Sequence, residues 1–490
     1  MRFNYLLSAS GLILVLIGLL MLIPVAVALI FGEYSQISSF IIPSFIAMIC
    51  GQILRFAANK ISKIENFNDI KKSEGLFIVV LTWCIMGAIS AVPFMLMGLN
   101  PVNALFEAAS GITTTGATTL TDFDYPNCFF FWRAFIQWIG GMGIIVLFIA
   151  ILPQFAVAGR QMFFAETPGP SDEKFTPRIR NTASALWKIY LAFTVLEIFL
   201  LLIAGMEPFD AVCNSFSTLA AGGFSPNPQS TLGYNSNIIT VIMLVFIFIS
   251  GVSFNAQYLA LSKFKPWNIF KSEEVRVYTG TFLVIGTVLA LTLIYNADYF
   301  HFKDAFLHGF YQTISIMTST GSTSADYNMW SIPSQIVLSI AFFTGGCASS
   351  AGGGLKIARW CLVYKVMKAE LKKILHPNAV INIKMDSTII PKEILTQIII
   401  YVLFYFMIII VSGIIVSSLE DNMLIGYASS VASVGNIGPS FPATIGAMGS
   451  YDSLQTVSKI ILILDMYIGR LEIIPFLVML NPDFWIFKKS

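Results

Sequence analysis

Thr114-Thr115-Gly116, Ala220-Ala221-Gly222, Ser319-Thr320-Gly321 and Ser433-Val434-Gly435 are four versions of one short phrase ending in glycine. Each follows an apolar stretch too short to cross a bilayer as a helix, which takes about 20 residues. Each also lies between two longer apolar stretches. The chain therefore reads as one unit written four times, a larger repeat whose copies bury a shared surface against one another.

The composition sets the solvent. Of 490 residues, 56% are hydrophobic and only 11% are charged, and the mean hydropathy is +0.77. A soluble domain could not hide that much apolar surface. The alternating pattern of a membrane barrel is absent, which leaves a helical chain that crosses the membrane many times.

The net charge of +2 conceals an asymmetry between loops. Arg55, Lys60, Lys63, Lys71 and Lys72 form one basic set, Arg160, Lys174, Arg178 and Arg180 a second, and Lys263, Lys265, Lys271 and Arg276 a third. A fourth runs from Lys356 to Lys392, and Lys488 and Lys489 follow the last span. The intervening loops carry Glu33, Asp122, Asp124, Glu207, Asp298, Asp326, Glu420 and Asp421. By the positive-inside rule the basic loops and both termini are cytoplasmic.

Two spans, Leu6 to Ile30 and Ser39 to Phe56, precede the repeats. The first contains Ala26-Val27-Ala28, but it is longer than a signal core and the second returns to the basic side, so both read as helices of a hairpin. The units then read as span, short helix, glycine phrase, span. They run from Gly75 to Pro153 with short helix Val102–Thr113, and from Ala183 to Leu261 with Phe209–Leu219. The third runs from Val277 to Val363 with Lys303–Thr318, and the fourth from Ile394 to Leu480 with Asn422–Ala432. Ten spans result. The expected divisions are a hairpin at 1–70 and pore repeats at 71–160, 161–264, 265–370 and 371–490.

A short helix that enters from one side must end inside the membrane. Non-helical backbone at that depth is tolerated only where protein buries it or where it lines a water-filled cavity. Four such breaks sharing one axis would form a pore. Each helix would direct the negative end of its dipole toward that axis, and glycine lets the following carbonyls turn toward it, which suits a cation. Glycine after a helix is also the ordinary way to end one. One copy would carry only that reading; four copies between complete spans carry the other.

On these phrases, together with Ala221-Gly222-Gly223-Phe224-Ser225-Pro226, Gly345-Gly346-Cys347 and Gly469-Arg470-Leu471-Glu472, the chain resembles the Trk, Ktr and HKT superfamily of potassium-uptake proteins. Within it the TrkH/TrkG subfamily is the most similar. The resemblance implies an all-α pseudo-tetramer of four helix, re-entrant pore helix, filter loop, helix units, with an N-terminal hairpin. It implies that potassium, and by the same chemistry rubidium, is held at Thr114, Thr115, Gly116, Ala220, Ala221, Gly222, Ser319, Thr320, Gly321, Val434, Gly435 and Asn436. It also implies a homodimer in the bacterial inner membrane and a separate cytosolic regulator similar to TrkA. A symporter with proton or sodium coupling and alternating access is the competing mechanism.

The last span of the third unit is interrupted by ten residues containing Gly345, Gly346, Gly352, Gly353 and Gly354. Each glycine costs a helix about 1 kcal/mol relative to alanine, so a broken segment is expected. Close packing through small residues is the plainer alternative. The resemblance makes this segment a gate, held shut by Arg470 in the final span. Glu472 and Asp465 are simpler partners for that arginine.

Glu107, Asp210, Asp304, Asp421 and Asn422 lie on or beside the short helices, either to gather cations or to cap. Lys368, Glu370, Lys372, Lys373, Lys384 and Lys392 suit lipid headgroups or the regulator. No GxGxxG in a βαβ context and no Walker A phrase occurs, so nucleotide control would come from a partner. The six cysteines lack paired spacing and read as packing residues, and the three histidines do not suggest a metal centre. Ser349-Ser350 beside Lys356 is the nearest approach to a catalytic set. Without a motif to support it, no enzyme, organic cofactor or nucleic-acid partner is expected.

Overall fold

The computed structural model describes residues 3–61, 72–150, 175–262, 265–299, 301–386, 388–480 and 482. The boundaries expected at 70/71, 160/161 and 264/265, and the basic residues at 63, 71, 160, 174, 263, 488 and 489, lie outside or beside the edges of these segments. The boundary expected at 370/371 falls inside a continuous helix, Ile357–Leu375.

The N-terminal hairpin is α1 (Phe3–Leu20) and α2 (Leu22–Ile30), folded back against α3 (Ile37–Ile61). Small residues allow the close approach: a Cβ added at Gly11 would lie 2.6 Å from the Gly51 carbonyl, and the converse holds. The Ser44 hydroxyl donates to the Gly18 carbonyl at 2.6 Å.

Unit 1 comprises α4 (Lys72–Leu96), the short α5 (Pro101–Ile112) and α6 (Asn127–Ala150). Unit 2 comprises α7 (Phe175–Ile203), the short α8 (Pro208–Leu219), α9 (Asn237–Ser250) and α10 (Phe254–Ser262). Unit 3 comprises α11 (Glu273–Tyr295), the short α12 (Phe302–Met317), α13 (Ile332–Ala341) and α14 (Ile357–Leu375). A small hairpin of β1 (Lys384–Met385) and β2 (Thr388–Ile389) leads to unit 4. That unit has α15 (Lys392–Glu420), the short α16 (Met423–Val434), α17 (Thr456–Arg470) and α18 (Ile474–Leu480).

Proline or an amide side chain starts three of the four short helices, where the first N–H groups lack partners. Pro101 and Pro208 occupy first-turn positions. Asn100 accepts from the N–H groups of Val102 and Asn103, and Asn422 from that of Ile425. Asn422 is thus a cap, whereas Asp210 lies within the first turn of α8 behind Glu207.

Six stretches among the described residues are long and apolar enough to cross a membrane: Asn4–Ile30, Tyr34–Lys60, Glu74–Leu96, Ser184–Ile203, Glu273–Tyr295 and Lys392–Glu420. Only 28–39% of an 18-residue apolar window in each is buried inside the protein, so the remaining apolar faces look outward, as lipid requires. The second spans hold more breaks than the single one expected in unit 3. The second span of unit 2 bends by 99° between α9 and α10. That of unit 3 is open from 342 to 356, and that of unit 4 breaks after Arg470, where Glu472 and Ile473 take positive φ. The breaks lie where protein surrounds them: Val252, Cys347, Ala351, Leu355, Leu471 and Ile473 are buried, so partners are at hand for the freed backbone groups.

The short helices are the protected centre. Ala104, Phe106, Ala108, Ala109 and Ile112 of α5 are buried, as are Ala211, Cys213 and Leu219 of α8, and Ala305, Tyr311, Ile314, Ile316 and Met317 of α12. Cys128, Cys213, Cys347 and Cys361 are buried packing residues as expected, while Cys50 and Cys84 are exposed.

Candidate functional site

The four short helices end in the same way. In each, one residue adopts a left-handed conformation just past the helix: Thr114 (φ 53°), Ala221 (φ 54°), Ser319 (φ 61°) and Asn436 (φ 51°). Its N–H reaches back three residues, to the carbonyls of Gly111, Thr218, Ile316 and Ser433. The next N–H reaches back five, from Thr115 to Ser110, Gly222 to Ser217, Thr320 to Ser315 and Ile437 to Ala432, each at 2.8 Å. These paired bonds form a Schellman closure, which satisfies carbonyls that a helix end otherwise leaves open.

After that closure each loop places a glycine at positive φ: Gly116 (81°), Gly223 (73°), Gly321 (74°) and Gly438 (89°). A side chain is excluded there for a second reason. An added Cβ would come within 3.0 Å of a carbonyl oxygen of another unit: Gly222 for Gly116, Thr320 for Gly223, Ile437 for Gly321 and Thr115 for Gly438. Those oxygens belong to the residues just before the glycines. The contacts close a ring through units 1, 2, 3, 4 and back to 1, so four equivalent loops surround one axis.

This ring corrects the register expected for two copies. Thr114, Thr115, Gly116, Ser319, Thr320 and Gly321 occupy equivalent places in units 1 and 3. In unit 2 the glycine equivalent to Gly116 is Gly223, while Gly222 matches Thr115, Ala221 matches Thr114 and Ala220 caps the helix. In unit 4 the equivalent is Gly438. Gly435 is the helix cap with φ −75°, Val434 is the last helical residue, and Asn436 is the left-handed residue. Asn436-Ile437-Gly438 is thus the fourth phrase. Ala221-Gly222-Gly223-Phe224-Ser225 and Asn436-Ile437-Gly438-Pro439-Ser440 share Gly-x-Ser, a signal that alignment on the first glycine overlooks.

On one side of the ring lies a vestibule of about 310 Å³, lined by residues just after the glycines, including Ala117, Phe224, Thr323 and Pro439. Arg133 borders it, and its Nε donates to Glu107 at 3.1 Å, with the two side chains only 2% and 0% exposed. Glu107 also accepts from the Thr118 hydroxyl and the Thr119 N–H. It is therefore a buried brace behind the unit 1 loop and does not gather cations at the mouth. The Arg133 guanidinium stacks 3.9 Å from the Phe224 ring centroid, tying unit 1 to unit 2.

On the opposite side lies the glycine-rich segment of unit 3. An added Cβ at Gly352 would strike the Thr318 carbonyl, and one at Gly353 would lie 2.8 Å from the Gly435 carbonyl. The segment also fills the bend of unit 2: Cys347 N–H donates to Gly251 at 2.8 Å, Ala351 to Ser250 at 3.2 Å, and Phe254 to Ser349 at 3.1 Å. Gly345 packs against Leu355, Gly346 against Ser350 and Gly251, and Gly354 has φ 68°.

Two buried cations hold this segment. Arg470 Nη1 donates to the Ala351 carbonyl at 2.9 Å and Nη2 to the Gly140 carbonyl at 3.5 Å. Neither Glu472 nor Asp465 is its hydrogen-bond partner; Glu472 pairs with Arg359. Lys356 is 6% exposed and donates to Gly352 and Ser350. It belongs to the segment beneath the ring, not to the cytoplasmic flank and not to a catalytic set. Sequence reasoning also passed over Glu274 of α11, whose carboxylate accepts from the Ala348 N–H at 2.5 Å. Among the described residues no group of three or more histidine, cysteine or acidic side chains could hold a metal ion.

Half-span helices ending on a shared ring, with a vestibule on one side and a pinned glycine segment on the other, define a polytopic membrane protein organised around a central axis. The TrkH family, described as a cation transport protein, matches residues 36–485. The chain belongs to that family, a transporter family and not one of enzymes. It is 37% identical to the Trk system potassium uptake protein TrkH of Salmonella typhimurium, over 99% of this chain and all of that one. It is 29% identical to the Trk system potassium uptake protein TrkG of Escherichia coli, over 97% of both. The crystal structure of the potassium transporter TrkH from Vibrio parahaemolyticus superposes with a TM-score of 0.90 at 32% identity, covering 99% of this chain and all of that one.

Proposed function

We propose that this protein carries potassium across the bacterial inner membrane, with both termini in the cytoplasm, along the axis of the glycine ring. The observation that carries this reading is the cyclic packing of four positive-φ glycines on four carbonyl oxygens. Backbone oxygens around an axis can replace the hydration shell of a cation without changing protonation state. Thr114 Oγ1 and Asn436 Oδ1, buried without hydrogen-bond partners among the described residues, add further oxygen at that depth. Four helix C-termini supply negative potential toward it. Rubidium, similar in size and charge, passes by the same route.

The segment from Gly345 to Gly354 serves as the gate in this reading, and Arg470 and Lys356 hold it closed. Their charge also opposes cation entry from below. Opening is assigned to a cytosolic nucleotide-binding regulator similar to TrkA, acting on the basic surface that runs from Lys368 in α14 to Lys392, and the assembly is a homodimer. Transport follows the potassium gradient as in a channel. A coupled symporter would move protons or sodium in fixed ratio. Potassium, rubidium and sodium flux into liposomes, measured with and without an imposed proton gradient, tests both. Potassium flux that follows its own gradient supports the proposal, and strict dependence on a proton or sodium gradient replaces it with symport. Exclusion of potassium while another solute crosses overturns it.

A further inference from the structure

Gln137 belongs to α6 of unit 1, yet its side chain serves the loop of unit 2. It is fully buried. Its Nε2 donates to the Gly222 carbonyl at 2.7 Å, and its Oε1 accepts from the Phe224 N–H at 3.1 Å. One planar amide thus grips the residues on both sides of the positive-φ Gly223.

The same amide explains a glycine that backbone geometry does not require. Gly222 is outside the left-handed region. An added Cβ there would lie 2.6 to 2.8 Å from Cδ, Nε2 and Oε1 of Gln137. The equivalent positions carry Thr115, Thr320 and Ile437. In unit 2 the space for such a side chain is taken by an amide lent from unit 1. The carbonyl it holds is also the one packed on Gly116, so the grip acts at the junction of two units.

We infer that Gln137 is a positioning residue that sets the Gly222 carbonyl and thereby the discrimination between potassium and sodium. The inference rests on the proposed ion path through the ring. Two effects act together on that oxygen. The donated hydrogen bond fixes its direction, and it draws electron density away from the side facing an ion. Cavity size and ligand field strength are the two quantities by which carbonyl sites distinguish these ions, and both change when the bond is lost. A loosened oxygen can close on the smaller sodium ion, so selectivity falls while the path stays open.

The test uses full-length purified protein in liposomes and reads the ratio of potassium to sodium flux for Gln137→Ala, Gly222→Ala and the double variant. Gly222→Ala displaces the amide because the atoms nearest its Cβ are the far end of that side chain. Each single change should lower the ratio several-fold, and the double should lower it no further, since both remove one interaction. Gln137→Met keeps the length of the side chain but offers no hydrogen-bond donor, and should also lower the ratio. If Gln137→Ala does not fold, Gly222→Ala and Gln137→Met carry the same prediction. An unchanged ratio in any folded, transporting variant, or losses that add in the double, overturns the inference. Absence of selective potassium flux in the unaltered protein instead defeats the ion path on which it rests.

Discussion

Arg470 and Ala351 belong to different units, and the guanidinium of the first donates to the carbonyl of the second at 2.9 Å beneath the glycine ring. The arginine side chain is 2% exposed, so its charge is met by backbone carbonyls and not by water. A charge kept at membrane depth is costly unless it performs a task there. Removing it frees the glycine segment and removes a positive barrier together. Arg470→Ala should raise basal rubidium flux several-fold in liposomes lacking any regulator. Unchanged flux at matched protein density would count against the gate.

Glu274 holds the same segment from another side through the Ala348 N–H. Glutamine can still present an oxygen acceptor, whereas alanine cannot. Glu274→Gln should leave basal flux near that of the unaltered protein, and Glu274→Ala should raise it. Equal effects of the two would assign the contribution to charge instead of to the hydrogen bond.

The corrected register separates two glycines three positions apart. Gly438 has φ 89° and an added Cβ would meet the Thr115 carbonyl, whereas Gly435 has φ −75°. Alanine at a left-handed position adds about 1–2 kcal/mol of strain before any clash. Gly438→Ala should abolish potassium flux, and Gly435→Ala should reduce it less. The opposite order in matched liposome assays would restore the register expected from the phrases alone.

Glu107 and Arg133 form a pair almost without solvent contact. Removing one partner leaves the other charge buried, which typically costs about 3–5 kcal/mol. Glu107→Ala should therefore lower the thermal unfolding midpoint in detergent sharply. A double change of Glu107 and Arg133 to apolar residues of similar volume should recover much of that loss. Equal destabilisation by single and double variants would show that the pair is not the source.

Units 1 and 3 were legible in register because Thr114-Thr115-Gly116 and Ser319-Thr320-Gly321 each hold a single glycine. Units 2 and 4 were not, because in each another glycine precedes the one at positive φ. Gly222 makes room for Gln137, remote in the chain, and an added Cβ at Gly435 would meet the Val431 carbonyl and the Ile437 side chain beside it. Local pattern cannot distinguish a glycine required by its own backbone from one required by a neighbour's side chain. Arg470 was legible as a charge in an apolar span, but its partners were not, since Ala351 and Gly140 offer only main-chain oxygens that carry no mark in a sequence.

The sequence by itself determined the solvent, the fourfold repeat, the four half-span helices and the interrupted segment. These follow from hydropathy, from length against membrane thickness and from glycine content, which are properties of a chain read in order. Only the tertiary structure decided which glycines form the ring, that second spans of three units are broken among the described residues, and that Glu107 braces a loop from within. Those outcomes depend on which atoms of separate units come within a few ångströms of one another around the axis, and packing alone sets that.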